Sequence, residues 1–183
     1  ECGQRFDGRY IPMGMATYVQ VYTNEIRKFS ILESGGTLTV QNYSAAQDTA
    51  NLHRRDYNML AQRFPNGESG FTVFSGVFQV GQDLPWLNTV DVRPAGHTVR
   101  PGFNQYLNQY HSAKAAVWDS TANTMHSIFF GGLSRYTLDT ITNTLLDDPN
   151  VPFVRTISMI TRFANDSMVE YKMPVEMPAL TGS

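Results

Sequence analysis

The densest group of side chains that can do chemistry in this chain is the run His53-Arg54-Arg55-Asp56. Two guanidinium groups beside a carboxylate can hold an anion, such as an acidic sugar, through paired hydrogen bonds. The alternative is that Asp56 pairs with an arginine and only joins two parts of the fold. The run therefore predicts either a ligand-binding site or a structural ion pair.

Histidine and cysteine usage argues against a metal centre. A metal site would need two or three of the four histidines to converge. His53 and His111 hold equivalent places in two similar segments, which explains their recurrence without a metal. Cys2 is the single cysteine, so an internal disulfide or a paired-cysteine metal site cannot form. We predict no metal and no cofactor, and keep His111 as a ligand-binding candidate.

Two further segments carry candidate ligand groups. Trp86 follows a proline in an expected loop, where an exposed indole ring can stack on a sugar. Asp147 and Asp148 lie in the longest expected loop, roughly residues 136–152, and such carboxylates can bind calcium or remain solvated. No nucleophile elbow, zinc-protease motif or paired catalytic carboxylates occur, so we assign no catalytic residue.

Four tripeptides have the form Asp-Ser/Thr-x that some bacteria O-glycosylate after export. The hydroxyl groups concerned belong to Thr49, Ser120, Thr140 and Ser167. All four fall at expected turns, and aspartate before Ser or Thr also favours a turn by itself. The pattern therefore predicts glycosylation sites, with turn formation as the alternative.

Composition limits the possible partners. Charged residues make up 16% of the chain and the net charge is −2, without a long basic run, so nucleic acid is not expected as a partner. The longest apolar runs fall far short of the ~20 residues of a membrane helix, so no transmembrane segment is predicted. Uncharged polar and β-branched residues favour a strand-rich extracellular protein. Because the chain begins at Glu1, we expect it to be part of a longer or processed protein.

The elements that must position these side chains are strands. His53–Phe78 and His111–Gly132 each read as a strand, a turn and a second strand that ends at small residues, roughly 55–58 residues apart. A repeat of this period built only from strands indicates propeller blades. We expect residues 1–50 to form the outer strands of a first blade, residues 51–109 to form a second blade, and residues 110–183 to form a third blade.

The expected strands follow from that division. Within the second blade, residues 53–78 supply the two inner strands, 86–92 the third and 97–107 the fourth. In the third blade the corresponding segments are 111–132 and 153–174. Residues 24–43 are the outer pair of the first blade, and residues 3–6 end its second strand. The chain then holds about two and three-quarter blades, fewer than the four to eight that close a propeller.

These segments resemble the kelch repeat, in which a strand closes on two glycines, here Gly131-Gly132. More narrowly, they resemble a group of secreted, kelch-like bacterial proteins, which often carry a C-terminal sorting domain for surface export. The residues that carry the resemblance are Leu52–Met59, Phe74–Phe78, Asn108–Ala113 and Met125–Gly132. The first copy departs from the pattern, with Ser75-Gly76 in place of two glycines.

The resemblance implies an all-β fold of consecutive four-stranded antiparallel blades from an incomplete kelch-like β-propeller. A two-sheet sandwich is the alternative. We expect a non-enzymatic binding or structural module of a secreted or cell-surface bacterial glycoprotein. Its propeller loops would hold a protein or glycan, and its blades would contact the remainder of the propeller or a larger assembly.

The ligand-binding candidates are His53, Arg54, Arg55, Asp56, Trp86 and His111. The alternative function is a carbohydrate-active enzyme, such as an epimerase, mutarotase or lyase, acting on an acidic sugar. It would require Arg54, Arg55, Asp56 and His111 to converge on an open cavity.

Overall fold

The computed structural model describes residues 3–9 and 17–179. These residues form fourteen β-strands and no helix, so the prediction of an all-β protein with antiparallel sheets is confirmed. Within the described part of the chain, no helix long and apolar enough to cross a membrane is found. The chain divides into two compact units. The first holds the described residues up to Arg55 together with Phe78–Gln82, and the second holds Asp56–Val77 and the residues from Asp83 onward.

The first unit contains two hairpins. Its strands are β1 (Gln4–Arg9), β2 (Thr17–Tyr22), β3 (Glu25–Ser34) and β4 (Thr37–Gln47). β1 pairs with β2, and β3 with β4, in two separate sheets. The expected hairpin over residues 24–43 is present, whereas β1 pairs with β2 and not with that hairpin. The reason is local, because residues 17–22 have a β-branched side chain at every second position and form a strand of their own.

The second unit contains two four-stranded sheets and a small hairpin. Its strands are β5 (Asn58–Arg63), β6 (Ser69–Phe74), β7 (Thr89–Arg93), β8 (Gly96–Arg100), β9 (Ala113–Asp119), β10 (Thr124–Leu133), β11 (Tyr136–Asp139), β12 (Thr144–Asp147), β13 (Phe153–Arg162) and β14 (Met168–Glu176). Sheet I has the order β5-β6-β7-β8, and sheet II the order β9-β10-β13-β14. β11 and β12 form a hairpin inserted between β10 and β13.

Three boundaries in this unit differ from expectation. The third strand was expected over residues 86–92, but β7 begins at Thr89. The segment expected as the longest loop, residues 136–152, contains the β11–β12 hairpin, because both its halves carry strand-forming residues around an aspartate turn. β8 ends at Arg100, although the fourth strand was expected to extend to Leu107. Pro101 follows, and a proline has no backbone N–H to continue a strand ladder.

Sheets I and II pack face to face around an apolar cluster. Leu60 and Phe74 come from sheet I, and Phe129 and Ile160 from sheet II; all four are buried. The rings of Phe74 and Phe129 meet edge to face with centroids 5.3 Å apart, a favourable aromatic geometry. The backbones approach closest along the first strands, where Cα atoms of β5 and β9 come within 8 Å.

A buried charge network also joins the two sheets. Arg162 of sheet II donates to both carboxylate oxygens of Asp91 in sheet I, at 3.1 and 2.5 Å. Arg162 also donates to Asp166 at 2.6 Å and to the Thr72 hydroxyl at 3.3 Å. Burial alone would raise the pKa of Asp166, but Arg162 and Arg100 outweigh it and hold the pKa below its usual value. Because a buried charge needs a partner, the network couples Arg162 of sheet II to Asp91 of sheet I.

The two sheets share one backbone irregularity, which lies just after β6 in sheet I and inside β10, before Leu133, in sheet II. Ser75 and Gly76 have φ of 57° and 98°, and Gly131 and Gly132 have φ of 62° and 107°. Ser75 thus adopts the left-handed conformation that a glycine has in the other copy. A Cβ atom on Gly132 would lie 2.8 Å from the carbonyl oxygen of Tyr110. The segments that repeat in sequence therefore also share backbone conformation.

Candidate ligand-binding site

Three of the candidates predicted from the sequence lie in the first unit, and each of them contacts other residues of that unit. His53 stacks on Tyr22 with ring centroids 3.8 Å apart, and burial lowers its pKa. Arg54 is fully buried, and its Nε donates to the carbonyl oxygen of Asn51 at 2.8 Å. The guanidinium of Arg55 lies 4.2 Å above the ring of Phe78.

The other three candidates lie in the second unit. Asp56 and His111 both have positive φ, and the backbone amide of His111 donates to the carbonyl oxygen of Asp56 at 3.3 Å. Their side chains are 3.9 Å apart, and that of His111 is 77% exposed. Trp86 is buried, with 8% of its surface exposed. The structure therefore brings Asp56 and His111 together, and it buries the indole that was considered as a sugar platform.

The four candidate glycosylation hydroxyls, on Thr49, Ser120, Thr140 and Ser167, are exposed. In three of these turns the preceding aspartate accepts backbone N–H groups. Asp119, for example, accepts from residues 121 and 122 at 2.8 and 3.1 Å. Hydrogen bonding, first from the amide of Ile141, lowers the pKa of Asp139 in the same way. Turn formation thus explains these aspartates, while the exposed hydroxyls leave glycosylation sterically open.

The acidic residues near Pro149 are engaged by neighbouring groups. Asp147 accepts hydrogen bonds from Arg135 at 2.7 and 3.0 Å, and Asp148 accepts from the amide of Asn150 at 2.9 Å. Among residues 3–9 and 17–179, no group of three His, Cys, Asp or Glu side chains is placed to hold a metal ion. Cys2 lies outside the described residues.

A cavity outside the predicted site lies between β14, the segment after β8 and the β11–β12 hairpin. Its volume is about 480 Å³, within the size range of small-molecule sites. The residues that line it are Tyr106, Leu107, Leu138, Asn143, Leu145, Glu170 and Lys172. All of them belong to the second unit.

Glu170 is the central polar group of this cavity. Its carboxylate accepts the backbone amide of Tyr106 at 2.8 Å and that of Leu107 at 3.1 and 3.2 Å. Burial raises the pKa of Glu170 to about 7, although both amide hydrogen bonds act in the opposite direction. A carboxyl group that is partly ionised near neutral pH can accept or donate hydrogen bonds to a ligand.

One feature of the sequence points to this cavity, namely the alternation of side chains along β14. Strand β14 alternates, and Met168, Glu170 and Lys172 share the face that turns toward sheet I, since Ile160 and Arg162 pair with Glu170 and Met168. Two charged residues on an inward face need partners or a ligand. Whether they find protein partners or a ligand depends on the segment after β8, and a strand pattern does not predict the path of that segment.

Comparisons with protein-family models, with curated proteins and with solved structures gave no match.

Proposed function

We propose that the chain is a non-enzymatic binding and structural module of a secreted or surface-displayed bacterial protein, and that its strands are part of a kelch-like β-propeller. The observation that carries the proposal is the way in which sheets I and II stack. The module would hold a protein or glycan partner through its loops, and would pack against the remainder of the propeller or a larger assembly.

Sheets I and II stack so that their equivalent faces point in the same direction. Phe74 comes one residue before Ser75-Gly76, as Phe130 comes one residue before Gly131-Gly132. Phe74 packs toward sheet II, whereas Phe130 lies on the far side of sheet II, because its neighbour Phe129 packs toward sheet I. Front-to-back stacking of equivalent sheets, closest at their first strands, is the relation between neighbouring propeller blades.

The far side of sheet II, which we term the front face, carries apolar side chains. Ile128, Met159 and Tyr171 lie side by side across three strands. Val117 and Val169 lie at the two ends of the next row, with polar residues between them. Val117 is 48% exposed, and Val169 and Tyr171 are each 41% exposed. An exposed apolar surface of this kind marks an interaction site. A further sheet packed on the front face would cover it as sheet II covers sheet I.

The β3–β4 hairpin of the first unit gives a second, independent argument. Ile31 and Val40 are opposite each other and are 62% and 63% exposed, and Leu38 is 68% exposed. A two-stranded hairpin with exposed apolar residues is marginally stable by itself in water. Incorporation into a larger sheet, as the outer pair of a blade, would bury these side chains.

The candidate residues give no support to the alternative, a carbohydrate-active enzyme. That function requires Arg54 to reach substrate from an open cavity, but Arg54 is buried and donates to a backbone carbonyl. Arg55 lies against Phe78. These contacts favour structural roles for both arginines within the first unit.

Residue-level footprinting tests the propeller part of the proposal. Photochemical carbene labelling is measured on the native protein and on the 183-residue chain produced alone. Tyr171 and Tyr106 are matched, since each is 41% exposed, but only Tyr171 lies on the front face. We expect labelling of Tyr171 to fall several-fold in the native protein while that of Tyr106 is unchanged. Equal labelling of Tyr171 in both samples would contradict the proposal.

Mass spectrometry of the native protein tests its secretion and glycosylation. We expect peptides that continue beyond this sequence, a mass well above 20.6 kDa, and hexose additions at the exposed hydroxyls of Thr49, Ser120, Thr140 or Ser167. An unmodified protein of 20.6 kDa would count against both the larger propeller and surface export.

A further inference from the structure

We propose that the cavity lined by Tyr106, Asn143, Glu170 and Lys172 binds a neutral pyranose sugar unit. The inference rests on the proposed function, because it names a chemical class and a site for the glycan partner. The cavity shares no lining residue with the His53–Asp56 run or with the named residues of the front face.

The polar groups of the cavity match neighbouring sugar hydroxyls, each of which can both donate and accept. Glu170 keeps acceptor capacity, since a carboxylate has about four acceptor positions and two backbone amides use only part of them. Lys172 donates to the carbonyl oxygen of Leu138 at 3.2 Å and lies 3.6 Å from Glu176, so one of its three N–H groups remains. Asn143, at the β11–β12 turn, adds an amide that both donates and accepts.

The apolar groups match the C–H faces of a sugar ring. Leu138 and Leu145 come from the hairpin, and Leu107 closes the cavity from the segment after β8. Tyr106 is 41% exposed at the rim, where its ring offers a flat amphipathic surface. A cavity of about 480 Å³ with few polar groups among apolar ones is typical of a small-ligand site.

The charges favour a neutral sugar over an acidic one. Lys172 forms an ion pair with Glu176 at 3.6 Å, outside the cavity lining, so its positive charge is already matched by a carboxylate. An added sugar carboxylate would face the Glu170 carboxylate without a free cation to match it. This preference is opposite to the one predicted for the arginine run at residues 54–55.

Ligand-observed and amide-detected NMR test the proposal on the full chain. The probes are methyl glycosides of glucose, galactose and mannose, together with N-acetylglucosamine and, as the acidic comparison, glucuronate. We expect at least one neutral probe to saturate at millimolar concentration and to shift the amides of Tyr106, Leu107, Asn143 and Glu170. Glucuronate should bind at least tenfold more weakly.

Two tyrosine variants separate a binding role from a general effect on the fold. Tyr106→Ala should weaken binding about tenfold or more, and Tyr171→Ala, of equal exposure, should leave it unchanged. Glu170→Gln, which keeps the side-chain shape, should also weaken binding. The proposal is overturned if no neutral probe shifts the cavity amides, or if both tyrosine variants lose binding equally. Either result leaves the footprinting of Tyr171 in the native protein unaffected, so the two proposals fail separately.

Discussion

The buried pair between Arg162 and Asp91 gives the sharpest test of how the two sheets hold together. Replacing Arg162 by Met retains much of the side-chain length but removes the charge. Asp91, only 1% exposed, would then keep the Thr72 hydroxyl at 2.7 Å and a distant Arg93 nitrogen at 4.0 Å. A buried carboxylate with so few donors destabilises the folded state strongly.

The expected loss follows from this geometry. Breaking one side of a buried ion pair costs about 3–5 kcal/mol, against a total unfolding free energy of roughly 5–15 kcal/mol for a domain. For a protein of this size the melting temperature should fall by roughly 10 °C or more. The double variant Arg162→Met/Asp91→Leu should recover most of the loss, because it removes both charges together.

Urea unfolding of the wild type, the two single variants and the double variant measures the coupling as a double-mutant cycle. Arg135→Met serves as the matched control, because the Arg135–Asp147 pair has similar hydrogen-bond lengths but is exposed. We expect that control to leave stability nearly unchanged. The reasoning is refuted if Arg162→Met loses less than about 1 kcal/mol, or if the double variant is as unstable as the single variants.

Two further predictions concern stability. Gly132→Ala should lower the free energy of unfolding by about 3 kcal/mol, because the φ of 107° and the 2.8 Å approach to the Tyr110 oxygen both oppose a Cβ atom. Gly102→Ala is the control, since it has open space around it and should be neutral or stabilising in urea unfolding; equal effects of the two variants would contradict the prediction. Relative to Glu170→Gln, the wild type should lose stability as pH rises from 4.5 to about 7, since the folded state keeps the Glu170 proton longer; parallel stability curves would be inconsistent with a raised pKa.

Much of the local structure could be predicted from the sequence. Alternating strands and aspartate or glycine turns identified the hairpins at residues 24–43 and 156–173, because these patterns depend only on neighbouring residues. The paired small residues Ser75-Gly76 and Gly131-Gly132 indicated that the two sheets are equivalent. Glycine permits positive φ, but the positive φ of Ser75 is sterically disfavoured and could not be predicted from residue type.

The candidate site was harder to predict from the sequence, because the exposure of a side chain and its distance from other side chains depend on distant parts of the chain. Trp86 follows a proline and was expected in a loop, yet packing buries it. Arg54 belongs to the most promising charged run, but the fold buries it completely. Neither outcome is encoded in residue type or spacing.

Glu170 shows most clearly what the tertiary structure alone decided. The sequence determined that Glu170 lies on a strand and shares a face with Lys172, since side chains alternate. Only the folded chain brings the amides of Tyr106 and Leu107 to its carboxylate, across more than sixty residues, and places the β11–β12 hairpin beside it. The cavity and the raised pKa arise from this long-range packing, because desolvation is a property of the surroundings and not of the residue itself.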